Sequence, residues 1–234
     1  YDKQRGRTVA IGLGATYAVS MTGLYYLWYA DYPLGEFHTF NDNDEWLQMD
    51  KMGHVGSAYY LGKWGIDLMQ WTGMKQKKAA WVGGSLGLAF LTTIEVFDGF
   101  SEQWGFSTGD MIANVAGSAM AISQELIWRE QRINIKFSWH DTEYNEYNPD
   151  LLGDEFPETL FKDYNGQTYW LSGNIKSFLK EDSKFPAWLN IAAGYGAEGM
   201  TGANDNSKTD AAGYPVSERY RQFYLAPDID LTKI

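Results

Sequence analysis

The sequence predicts an α+β protein: a four-helix N-terminal unit followed by a short antiparallel sheet of about four strands. Three observations carry that prediction. Up to about residue 131, apolar and small residues recur in long stretches with few charges, as closely packed helices require. After Arg132 the period changes to two, with Ile133, Ile135, Phe137 and Trp139 on one side and Asn134, Lys136, Ser138 and His140 on the other. The rest of the chain is punctuated by Pro149, Pro157, Pro186 and a Gly/Asn/Asp-rich loop at residues 199–213, which divide it into short strands. The expected division is residues 1–131, helical, and 132–234, β-rich and packed on the helices or on a partner.

The first helical segment, residues 8–30, has no charge, is flanked by Arg7 and Asp31, and is long enough to span a bilayer. Its Gly, Ser and Thr content suits packing against other helices as well as contact with lipid. Further helical regions are expected at 46–72, 79–97 and 108–129. Each holds charged residues, and the uncharged pieces 79–94 and 111–124 fall short of a full span. Beyond 133–139, alternation at 168–178, 188–195 and 219–231 marks three more strands. Four strands cannot close a barrel, so they have to pair with another chain or pack on the helices.

Composition narrows the function classes. With 30 acidic and 19 basic side chains the net charge is −11, which excludes a nucleic-acid backbone as the main partner. Cysteine is absent, so a disulfide scaffold, a zinc–thiolate site and a cysteine nucleophile are excluded, as is a lipid anchor on a cysteine of these residues. Aromatic residues reach 16%, with 10 Trp and 16 Tyr, while mean hydropathy is negative. Trp and Tyr are favoured at membrane and protein interfaces, and an aromatic-rich soluble core gives the same count.

The polar residues that could carry chemistry lie in the helical half. Asp50 and His54 are four apart, Glu95 and Asp98 three apart, and Asp110, Asn114 and Gly117 follow at spacings of four and three, so each set shares one helix face. If those faces converge, the carboxylates, Lys51 and the single imidazole form one cluster. It can be a satisfied structural network, a site for a small ligand or a divalent metal such as Mn, Fe or Zn, or an acid–base pair. The metal candidates are His54, Glu95, Asp98 and Asp110. Gly12-x-Gly14 lacks the third glycine of a dinucleotide fingerprint, and Ser101 and Ser107 lack a nucleophile elbow.

The run Asp50-Lys51-x-x-His54, then Glu95, then Ser107-x-x-Asp110-x-x-x-Asn114-x-x-Gly117 resembles the pattern of the VanZ-like membrane proteins linked to glycopeptide resistance. With Trp46-Leu-Gln-Met-Asp50-Lys51, the stretch from Phe161 to Trp170, Tyr195-Gly-Ala-Glu-Gly-Met and Arg219-Tyr-Arg-Gln-Phe-Tyr, the chain is more similar still to the YfiM-like family. These are domains of unknown function described as predicted periplasmic lipoproteins, with Bacteroidota-type members. The resemblance implies a cell-envelope location, at the outer membrane or its periplasmic face with the inner membrane as alternative, and implies no reaction.

The expected role is that of a non-enzymatic accessory subunit of an outer-membrane complex for assembly, secretion or transport. Outer-membrane or periplasmic proteins and the membrane itself are the expected partners, with Trp170, Trp188 and Tyr195 as candidate contacts. No cofactor is expected, a divalent metal being the exception the cluster would suit. The alternative is a metal-dependent or acid–base enzyme, or a small-ligand binder, acting on lipid or cell-wall precursors through the helical His/Asp/Glu cluster.

Overall fold

The computed structural model describes residues 1–30, 32–206 and 217–234; Asp31 and the end of the predicted 199–213 loop lie outside the described residues. The protein is α+β, with helices in the N-terminal half and a four-stranded antiparallel sheet in the C-terminal half. Its contacts divide it into two units: residues 1–43 with 54–130, and residues 44–53 with 131–234.

The first unit is helical. Helix α1 (Lys3–Leu24) starts where the Asp2 carboxylate accepts the amides of Gln4 and Arg5, and it ends in a wider π-helical turn, Tyr25–Tyr29. The predicted start at residue 8 is therefore too late: the cap lies before the charged turn rather than at its apolar edge. Helix α2 (Met49–Trp71) contributes its residues from His54 onward to this unit. The third predicted helix is two helices, α3 (Gln76–Gly84) and α4 (Leu86–Phe100), separated by a turn at Ser85 whose hydroxyl donates to Trp81 O at 2.7 Å. Four expected helices thus become five. The turn falls at Gly83-Gly84-Ser85, weak helix formers, where the backbones pack closely: a Cβ at Gly83 would lie 2.3 Å from the carbonyl of Gly65, and one at Gly87 2.3 Å from Ala58 O. Strand β1 (Thr39–Phe40) pairs in parallel with β2 (Phe106–Ser107), and β2 runs directly into α5 (Thr108–Trp128).

Among the described residues, the helical run long and apolar enough to cross a membrane is Gln76–Phe100, not residues 8–30. Helices α3 and α4 together reach 25 residues, with Lys77 and Lys78 at one end and Glu95 and Asp98 toward the other.

The second unit is built on a meander, β3 (Ile133–Trp139), β4 (Gln167–Asn174), β5 (Leu189–Glu198) and β6 (Tyr220–Ile229), in that spatial order and antiparallel throughout. Short helices α6 (Pro149–Leu152) and α7 (Glu158–Lys162) lie in the β3–β4 connection. At one end, Trp46, Met49, Leu152, Ala197 and Met200 form a buried apolar core.

Register assigns the sheet's two faces. One carries the row Ile135, Leu171, Ala193 and Leu225, and beside it Phe137, Tyr169, Tyr195 and Phe223. The other carries Asn134, Lys136, Ser172, Asn174, Asn190 and Asp228. In a flat sheet the outer strands β3 and β6 would be separated by about 14 Å, three spacings of roughly 4.8 Å. Yet Lys136 Nζ on β3 lies 2.6 Å from Asp228 Oδ2 on β6. The sheet is therefore coiled with the polar face inside. There Ser172 Oγ donates to Asp228 at 2.5 Å, and Asn174 Nδ2 donates to Asn190 Oδ1 at 2.6 Å. Along β6 polarity is thus the reverse of an ordinary water-soluble sheet, while on the same apolar face Ile135 is buried and Tyr169 and Tyr195 pack on the Trp46–Met49 core. Ser172 is fully buried, whereas Leu225 and Phe223 on the convex face are each 76% exposed.

Candidate functional site

Three helices of the first unit bring five of the sequence candidates together. Helix α2 supplies His54, α4 supplies Glu95 and Asp98, and α5 supplies Asp110 and Asn114. Their meeting depends on Gly117, one turn beyond Asn114 on α5. A Cβ there would lie 2.2 Å from Val55 O, so only a glycine lets α2 approach closely enough for His54 to reach α5.

His54 Nδ1 stands 3.0 Å from Asn114 Oδ1, which can only accept, so this contact assigns the ring proton to Nδ1 and leaves the Nε2 lone pair bare in the neutral ring. Nδ1 is 3.7 Å from Glu95 Oε1, and Nε2 is 3.8 Å from Asp110 Oδ1. Glu95 is 1% exposed. Its Oε2 accepts the Ser107 amide at 3.1 Å, while Oε1 has no hydrogen-bond donor. The Nδ2 of fully buried Asn114 likewise has no acceptor.

The start of α5 is tied into the cluster. Ser107 caps the helix by accepting the Asp110 amide at 3.0 Å, and its hydroxyl donates to Asp42 Oδ1 at 2.6 Å. Asp98 is held from another side by Tyr29, whose hydroxyl donates to Oδ1 at 2.6 Å.

Electrostatics follow from burying this many acids together. Burial first, then the charges of Asp110 and Asp98, pushes Glu95 up to about 8, against the smaller opposing effect of the Ser107 amide. Burial raises Asp98 to about 6, while the Tyr29 hydrogen bond and His54 pull it down. A deeply buried carboxyl that readily holds a proton, beside an imidazole, can exchange protons or accept a cation.

Asp50 and Lys51 belong to the second unit, in the first turn of α2, where Lys51 Nζ lies 2.7 Å from Asp50 Oδ2. The aromatic candidates also lie there. Trp170 is on the polar face, over Gly194 and against Tyr224, with its indole N–H donating to Ser138 Oγ at 2.9 Å. Tyr195 donates to Leu47 O and accepts from Arg221 Nε at 3.2 Å. Trp188, just before β5, is 37% exposed. The most open apolar positions within the sheet strands, Phe223 and Leu225, escaped the sequence reading because alternation shows that two faces differ without showing which is outside. Ser107 was legible through Ser107-x-x-Asp110, a helix-start signature; the long-range contacts of Tyr29 and Asp42 leave no local pattern.

Residues 38–125 match the family model described as a predicted periplasmic lipoprotein, a domain of unknown function (DUF2279). The matched stretch contains every cluster residue on α2, α4 and α5 as well as Asp42 and Ser107, and it covers just over a third of the chain. It is consistent with the cell envelope. No curated protein and no solved structure matches the chain.

Proposed function

We propose that this is a non-enzymatic cell-envelope protein that serves as an accessory subunit of an outer-membrane protein complex, docking through the convex face of its C-terminal sheet. The observation that carries the reading is the sheet's reversed polarity: Leu171, Ile191, Phe223 and Leu225 face outward while a connected polar network lies within the curve. Leaving such side chains in water forgoes roughly 1.5–3 kcal/mol apiece, so an apolar surface that covers them gains substantial affinity. The sheet is also open among the described residues, ending at β3 and β6, and an edge strand can accept a partner strand.

The periplasmic description of the matched family supports an envelope location, and the aromatic richness supports one at a membrane. The finer likeness to YfiM-like and VanZ-like proteins belongs to this proposal and rests on the Asp50–His54, Glu95 and Ser107–Gly117 pattern.

Gentle extraction and affinity purification of the native protein, followed by mass spectrometry, tests the role. The expected result is a fixed set of outer-membrane proteins at stoichiometric yield, reduced about tenfold or more by Phe223→Ser or Leu225→Ser. Trp188→Ser should also weaken recovery. Trp170→Ser should instead lower the stability of the sheet, because that ring covers Gly194 inside the curve. Recovery of the chain alone, or of the same partners with folded Phe223 and Leu225 variants, would remove the docking model.

A further inference from the structure

We propose that His54, Glu95 and Asp110 form a binding site for one divalent first-row cation of the zinc or manganese class. The geometry is that of three rigid helices each contributing one ligand, with an imidazole nitrogen and two carboxylate oxygens all within 4.8 Å of one another. Ligand atoms about 2.1 Å from a tetrahedral zinc stand roughly 3.4 Å apart. The 3.8 Å from His54 Nε2 to Asp110 Oδ1 is within a small side-chain adjustment of that value.

Two further features point to a ligand rather than to a closed network. Glu95 is almost wholly buried, its Oε2 is fixed by the Ser107 amide, and its Oε1 is directed at the cluster with no donor to satisfy it. A buried acceptor in that state is costly and is normally supplied with a partner. Independently, Asn114 holds His54 through Nδ1 and so presents the bare Nε2 to Asp110, which is how a ligating histidine is usually oriented by the group behind it.

The donor set chooses the ion. One neutral imidazole and two carboxylates carry two negative charges, matching a divalent cation; the nitrogen ligand favours zinc or iron over calcium and magnesium, and the two carboxylates also suit manganese. Asp98 and Asp42 are engaged by Tyr29 and Ser107 and add negative potential without being needed as ligands. This inference is separate from the docking proposal: it concerns the helical unit, and its readout is metal content rather than partner recovery.

The test uses the full chain carrying a tag without histidines, stripped with EDTA and then exposed to zinc, manganese or magnesium chloride before desalting. Elemental analysis should find one zinc or manganese per chain and no retained magnesium, with a higher melting temperature in the metal-loaded protein. Glu95→Gln and Asp110→Asn should each weaken binding about 100-fold or more while circular dichroism stays unchanged. Asn114→Ala, which frees the histidine, should weaken it about 10- to 100-fold. Should the carboxylate variants fail to fold, His54→Gln and the X-ray absorption spectrum of the loaded wild type, expected to show nitrogen and oxygen ligands, decide in their place. Absence of stoichiometric metal on the folded wild type would overturn the site, as would folded variants that bind as tightly as wild type or a spectrum without a nitrogen ligand.

Discussion

Glu95 shows how one side chain couples burial, charge and stability. Its carboxyl titrates near 4.5 when unfolded and is pushed up to about 8 in the folded protein, so the folded state keeps a proton that the unfolded state has lost. Folding is then favoured most below the unfolded value, and this contribution falls away as pH rises through about 8. Asp98, raised to about 6, acts in the same direction. The metal-free protein is accordingly expected to lose stability, read as the urea midpoint, between about pH 5 and about pH 8.5, and Glu95→Gln should flatten the profile. An unchanged slope in the folded variant would contradict the burial argument. Asp228 has the opposite sign. Burial tends to raise it, but Lys136, Ser172 and Asn190 together hold it below the usual range, so its stabilisation is present above about pH 4 and lost in acid. Lys136→Met removes that charge partner and should cost about 1–3 kcal/mol, at the lower end because the pair is partly solvated.

At the scale of elements, close helix packing and helix capping determine whether the cluster forms. Gly83→Ala would bring a methyl group onto the Gly65 carbonyl and should destabilise the helical unit by about 1–3 kcal/mol. Ser107→Ala removes the cap of α5 and should cost about 1 kcal/mol, seen as a lower urea midpoint at constant slope, with a further loss from releasing Asp42. These elements also show what a sequence reveals. The faces of α4 and α5 were legible because residues three and four apart must share a side, and the strands were legible because their period is two. The break at Ser85 was missed although Gly83, Gly84, Ser85 and Gly87 are weak helix formers, because small residues in such a stretch also suit close packing of a continuous helix. Which sheet face is solvent-facing was equally hidden: it became readable only from the Lys136–Asp228 contact across four strands.

For the whole molecule, the sheet and the helical cluster make distinct demands. The cluster leaves Glu95 Oε1 and Asn114 Nδ2 without hydrogen-bond partners inside the helical unit, whereas β6 leaves Phe223 and Leu225 each 76% exposed. A docking partner would cover the exposed side chains of the sheet, and a bound cation would supply the partner that Glu95 Oε1 lacks. The most direct measurement is site-specific photocrosslinking in intact cells from a reactive residue at Leu225, with exposed Lys77 on α3 as the control. One dominant adduct with an outer-membrane protein is expected from position 225 and none of that mass from position 77. Equal labelling from both positions, or no protein adduct from position 225 in the folded chain, would contradict docking through the sheet.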